Sequence, residues 1–216
     1  MNKYWTTAEY IDEVLRPSCK DYIIIKSYRS SDFSDGNIDV VIDGGLFDIY
    51  ENFFSSEFIL KRRDIIKSKY YERNKLMCTP MSKDYISIHL HTNVGWHDLE
   101  FFSYKDVLVN SEKVQVGNSN ISLCNVEFES KVLLYHALFE KFGFSDLDLS
   151  FIDEVVMDDF QSSYDSMIKL RSRSLIYNNL KKGQLWVIWF DYYRRKKGVK
   201  IKNLLFHLML LIRQRF

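Results

Sequence analysis

Two short strand-like segments carry the residues whose types and spacing could do chemistry. In IDVVID (residues 38–43) side chains alternate between faces, so Asn37, Asp39, Val41 and Asp43 share one side. Acidic groups spaced i and i+2 near the start of a strand can jointly hold divalent metals. Such metals clamp the phosphates of a nucleotide and activate an attacking hydroxyl. In ISIHLHTNVGWHDLEFF (residues 86–102), His89 and His91 have the same i, i+2 spacing, with His97, Asp98 and Glu100 close behind. His-x-His on one strand face is compatible with Zn2+ or another transition metal. Each of these residues also has a structural reading. Paired strand histidines often serve as hydrogen-bonded surface residues, and an Asp beside an Asp-Gly turn often caps the loop. Lys26 is either a phosphate-binding cation or a strand-end lysine reaching solvent.

Elements capable of positioning these groups are readable along the chain. Thr6 and Thr7 precede AEYIDEVLR, with Glu9 placed to complete a capping box from Thr6, and Pro17 closes that helix. DYIIIKSY (residues 21–28) reads as a buried strand, residues 29–37 as a loop turning at Asp35-Gly36, and residues 38–43 as a second strand. Residues 46–77 are helix-like and charged toward their C-terminal half. Strand character returns at 84–94 and 98–102, and residues 107–116 and 121–126 form a hairpin-like pair around Gly117-Asn118. Residues 127–142 carry a helical face of Phe128, Val132, Tyr135 and Phe139, with His136 read as a core histidine. Further helices are expected at 151–160, 164–179 and 203–216.

On these residues the chain resembles the nucleotidyltransferase superfamily, in its divergent branch of small bacterial and archaeal proteins. That superfamily shows a small-residue pair, often Gly-Ser, then a loop, then Asp-x-Asp within a strand, then a third carboxylate on a later strand. Lys26-Ser27 occupies the position of the pair and retains the serine. Asn37-Ile38-Asp39 occupies the Asp-x-Asp position, and residues 86–102 look like the third-carboxylate strand, with His89 or His91 near the expected place. The resemblance spans roughly residues 20–155 and extends to the helix ESKVLLYHALFEKFGFSDLDLSFID.

The resemblance implies a nucleoside monophosphate moved from an NTP to a hydroxyl acceptor with Mg2+ or Mn2+. Asp39 would ligate the metal, with His89, His91 or Glu100 completing the site, while Lys26, Ser27 and Asn37 would hold the nucleotide phosphates and metal. The departures are Asn37 in place of the first Asp and histidine in place of the third carboxylate. A carboxamide adds no negative charge, and hard Mg2+ favours charged oxygen ligands. The alternative is therefore a catalytically degenerate nucleotidyltransferase-like module that binds a nucleotide, nucleic acid or protein partner.

Composition sets the remaining bounds. With 216 residues, 46% hydrophobic and 16% aromatic, the chain can bury a substantial core. The expected fold is α+β (α/β-like): a mixed sheet flanked by helices over residues 1–126, then a helical part over 127–216. Net charge is only +1, but thirteen Lys and Arg stand against two Asp and Glu from residue 161 onward. That basic tail, with aromatics among the cations at 192–202, suits either an anionic membrane surface or nucleic acid. It equally suits a terminal helix packed on the body. Cys19, Cys78 and Cys124 form no CxxC pair, and the N-terminus has no apolar signal region, so a cytoplasmic location is expected. No P-loop, dinucleotide fingerprint or GxSxG elbow is present.

Overall fold

The isoleucine run after Asp21 forms β1 (Tyr22–Ile25), all four of whose residues are buried, near the middle of a mixed seven-stranded sheet. β-branched side chains on both faces suit a strand covered on both sides. The computed structural model describes residues 2–27, 36–70, 72–96, 99–136 and 151. The chain divides into two compact units, Met1–Glu129 and Ser130–Phe216, and the sheet belongs to the first.

In chain order, α1 is Lys3–Leu15, followed by a short 3-10 turn at Arg16–Ser18, β1, and β2 at Asn37–Ile42. Next come α2 (Leu46–Ile49), a π-helical turn (Tyr50–Phe54), β3 (Phe58–Ile59), α3 (Arg62–Tyr70) and β4 (Lys75–Pro80). β5 (Ser87–His91), β6 (Val94–Trp96), β7 (Leu99–Phe102), α4 (Tyr104–Val109), β8 (Ser111–Val116), β9 (Ser119–Cys124) and α5 (Val126–His136) complete the order. The large sheet runs β3-β4-β5-β2-β1-β9-β8, and β6-β7 form a separate two-stranded sheet. β2 lies antiparallel to β1 and parallel to β5, and β1 lies parallel to β9. This is the α+β architecture expected from the sequence.

One face of the sheet packs on α1. Tyr4, Ala8, Ile11 and Leu15 recur at helical spacing and meet Ile24, Ile38, Val40, Ile42, Leu90 and Leu123. Each such buried leucine, isoleucine or valine contributes about 1.5–3 kcal/mol. An aromatic group extends this core: Phe54 and Phe58 meet edge-on at 6.2 Å, and Tyr10 and Tyr85 close over them. Since Ile38, Val40 and Ile42 point to α1, strand alternation sends Asp39 and Val41 to the other side.

Three local expectations need correction. The first helix starts earlier, capped by Asn2, whose Oδ1 accepts from the amide of Trp5 at 3.1 Å. Thr6 and Thr7 lie inside it and donate back to the carbonyls of Asn2 and Lys3. Thr7 also accepts from the Ile86 amide at 3.0 Å, so its hydroxyl ties α1 to the approach of β5. Residues 46–77 are not one helix. Alternate residues Leu76 and Cys78 are both buried, the period of a strand, and β4 pairs with β3 and β5. Residues 104–109 are helical, with Ser103 and Asp106 forming a capping box, so the hairpin strand begins at Ser111 rather than Val107. Residues 29–35 of the expected loop 29–37, residues 137–142 of the expected helix 127–142 (with Phe139), and the helices and basic tail beyond residue 151 lie outside the described residues. No described helix is long and apolar enough to cross a membrane.

Candidate metal centre

Parallel pairing of β2 with β5 sets Asp39 opposite His89 and Val41 opposite His91. With i and i+2 on one face, both imidazoles rise on the side of the sheet that carries the Asp39 carboxylate. Nε2 of His91 lies 2.8 Å from Oδ1 of Asp39, and Nδ1 of His89 lies 3.4 Å from the same oxygen. The second carboxylate oxygen has its own partners. Oδ2 sits 2.9 Å from Nζ of Lys26 and accepts from Nδ2 of Asn37 at 3.0 Å. Asp39 therefore faces two imidazoles with one oxygen and an ammonium and an amide with the other.

Burial makes this arrangement electrically tense. Asp39 is 4% exposed and His91 is 6% exposed. Burial alone would raise the carboxyl of Asp39, but the Lys26 ammonium, followed by the two histidine rings, holds it well below the ordinary carboxylate range. His91 is pushed down to about 4, burial outweighing its bond to Asp39, so its ring is neutral near pH 7. With Asp39 ionised, the neutral ring donates Nε2–H to Oδ1.

Nδ1 of His89 is buried and makes no hydrogen bond, although it faces Oδ1. A buried polar atom left without a bond costs about 1–3 kcal/mol unless something completes it. One ligating atom each from Asp39, His89 and His91 lies within 4.8 Å of the others. Donors around a tetrahedral ion at ~2.0–2.2 Å stand roughly 3.3 Å apart, which the 3.4 Å His89–Asp39 spacing matches, while the hydrogen-bonded His91–Asp39 pair at 2.8 Å would have to open slightly to admit an ion. For Nε2 of His91 to ligate, the ring must carry its proton on Nδ1 instead. Two imidazole nitrogens and one carboxylate oxygen form a donor set that suits Zn2+ and neighbouring first-row ions better than Mg2+.

Lys26 reaches the centre from a constrained backbone. It directly follows Ile25, the Cα partner of Asp39, and its φ is +58°. That left-handed conformation favours glycine and costs other residues about 1–2 kcal/mol. Position 26 therefore has the backbone of a glycine and the side chain of a cation.

The other expected site residues are placed as follows. Ser27, expected to hold phosphate, is wholly buried, and its hydroxyl faces both Glu129 carboxylate oxygens at 3.2 Å. It lies two residues past the end of β1 and exposes none of its surface. Asn37 braces Asp39 through its amide. Glu100 is not brought to the cluster: it is exposed on β7, in the separate two-stranded sheet, where Oε2 accepts from Asn93 at 2.6 Å. Asp43 lies exposed just beyond the end of β2. His97 and Asp98 lie outside the described residues.

Glu129 was missed from sequence because it sits beside Phe128 on α5, where an acid in the first turn reads as a dipole-complementing surface residue. Its complete burial has no sequence signal except its neighbours on either side, Phe128 and Ser130, which are also buried. Cys78 carries no nucleophile, since burial pushes its thiol up to about 12. No protein-family model matches the chain, and no curated protein matches it.

Proposed function

We propose that this chain is a metal-dependent protein of nucleotidyltransferase-like design, in which Asp39, His89 and His91 hold a divalent ion beside a nucleotide phosphate. The observation that carries this reading is the convergence of Asp39 Oδ1 with Nε2 of His91 and the unbonded Nδ1 of His89 on adjacent parallel strands. Two further features support it. The resemblance sets Asp39 and His89 at metal-ligand positions, and their strands pair with those two residues in register. The glycine-like φ of Lys26 falls where the superfamily's pair often has glycine. When bound, the ion supplies Lewis-acid stabilisation of charge on a phosphoryl group. Asp39 gives it one anionic oxygen, and the histidines give neutral nitrogens. Lys26, with its side chain 12% exposed, fixes the carboxylate. Mg2+ or Mn2+ is the family's choice, whereas this donor set moves the preference toward Zn2+, Fe2+ or Ni2+.

A second reading, a nucleotidyltransferase-like module without transfer activity, is favoured by two observations. The cluster contains a single carboxylate, and Ser27 is buried against Glu129. Calorimetric titration with Zn2+, Mn2+ and Mg2+, followed by ATP and GTP, tests the proposal. One metal per chain, lost in Asp39→Ala, with metal-dependent nucleotide binding is the expected result. Metal binding without nucleotide binding selects a metal centre of another kind. No metal binding at all removes the proposal.

A further inference from the structure

The two oxygens of Asp39 have different company, and this bears on which metal the centre would take. Oδ2 is held by the Lys26 ammonium at 2.9 Å and the Asn37 amide at 3.0 Å, which leaves Oδ1 as the oxygen facing His89 and His91. An ion entering there would meet one carboxylate oxygen, two imidazole nitrogens and a nearby cation that cancels the carboxylate charge. Mg2+ and Mn2+ draw their affinity from several oxygens and from net negative charge. Zn2+ and its neighbours draw much of theirs from nitrogen donors and accept four ligands.

We infer that Lys26 is the residue that sets the metal selectivity of this centre, by occupying Oδ2 and neutralising Asp39 so that oxygen-preferring ions are rejected. The inference rests on the reading of Asp39, His89 and His91 as metal ligands and adds to it. The backbone argues that the placement of Lys26 is selected rather than incidental. A lysine holds a φ of +58° against its own steric preference, with its ammonium delivered to the carboxylate. Glycine would satisfy that φ without strain, so the lysine side chain is what the position gains.

The same property makes the test clean, because Lys26→Gly suits the backbone and removes only the ammonium and its stem. Zn2+ and Co2+ affinities are measured by competition with a chromophoric chelator and by the visible Co2+ spectrum, and free Mn2+ by electron paramagnetic resonance. The wild-type protein is expected to bind Zn2+ far more tightly than Mn2+. In Lys26→Gly the ratio of the two affinities should fall about tenfold or more, because the freed Oδ2 and the uncancelled charge favour the oxygen-preferring ion. Lys26→Arg, which keeps a cation able to hold Oδ2, should preserve the wild-type ratio, and Asn37→Asp should lower it by adding a carboxylate. Circular dichroism establishes that each variant is folded, and Lys26→Gln serves as a second neutral variant. Tight Zn2+ binding with an unchanged ratio in both neutral variants overturns the role of Lys26 and leaves the metal centre standing. Failure of the wild-type protein to bind any of these ions overturns the metal centre itself, and the inference with it.

Discussion

Asp39 and His89 are Cα partners in the parallel pairing of β2 with β5, and His91 follows two residues later on the same face. The centre is thus specified by strand register. A slip of one residue in β5 would turn both histidines into the face packed on α1 and bring Ile88 and Leu90 out to Asp39. The apolar residues that fix the register and the polar residues that form the centre are therefore interleaved on the same strands.

Ligand replacements should separate the three donors from their neighbours. His89→Ala, His91→Ala and Asp39→Asn are each expected to weaken Zn2+ binding by more than about a hundredfold, since even the outer partners of metal ligands are commonly worth 10–100-fold. Glu100→Gln should change it by less than about twofold, because that carboxylate belongs to the other sheet and bonds Asn93. Calorimetric titration checks all four. A large loss in Glu100→Gln would mean that the β6–β7 hairpin closes onto the centre.

The Lys26–Asp39 pair should be strongly coupled even without metal. Asp39→Ala leaves a largely buried ammonium without its counter-charge, and breaking such a pair typically costs about 3–5 kcal/mol. Lys26→Gly strands the carboxylate less severely, because Asn37 and His91 still donate to it and the backbone relaxes. The double variant Lys26→Gly with Asp39→Ala should therefore be more stable than Asp39→Ala alone. Urea unfolding of the four proteins in chelator gives the coupling energy. A coupling near zero would mean that the ammonium finds solvent in solution.

Removing the hydroxyl of Ser27 should affect stability before it affects any ligand. Ser27→Ala takes a donor away from the fully buried Glu129 and is expected to cost about 1–3 kcal/mol, measured by urea unfolding. It should leave Zn2+ affinity within about twofold, because Asp39 gains no partner from Ser27. A stability loss below about 0.5 kcal/mol combined with a large fall in nucleotide affinity would return Ser27 to the phosphate role implied by the superfamily resemblance.

The strands that build the centre were legible because short β-branched runs, and polar residues set at i and i+2 along them, survive in sequence, as in residues 22–25 and 37–42. His89 and His91 were legible as a pair for the same reason. Their meeting with Asp39 was not, since nothing local places β5 beside β2 across some fifty residues of intervening chain. The segment 46–77 misled because its charge-rich composition suits a helix, while β4 is imposed by pairing with β5 and β3 by pairing with β4. Glu100 looked like a ligand through proximity in sequence to His91, but it pairs with Gly95 in a different sheet. The Lys26 contact was hidden by a φ that sequence alone assigns to glycine.

Acid should weaken the fold in two windows with different owners. The ring of His91 titrates near 4 in the folded protein against an ordinary 6.5, so below pH 6.5 the unfolded chain takes up a proton that the native ring refuses. Its contribution is fully present above pH 6.5 and is lost as pH falls toward 4, amounting to about 3 kcal/mol over that interval. Asp39, held well below the ordinary carboxylate range, keeps its contribution until the pH falls below about 4 and loses it further down. In chelator, urea unfolding at pH 7, 5.5 and 4.5 should show falling stability in the wild-type protein and a flatter profile in His91→Gln. Equal slopes for the two proteins would mean that His91 is already charged in the native state. Zinc added at pH 7 should stabilise the wild-type protein and lose that effect over the same interval, because a neutral imidazole is what the ion requires.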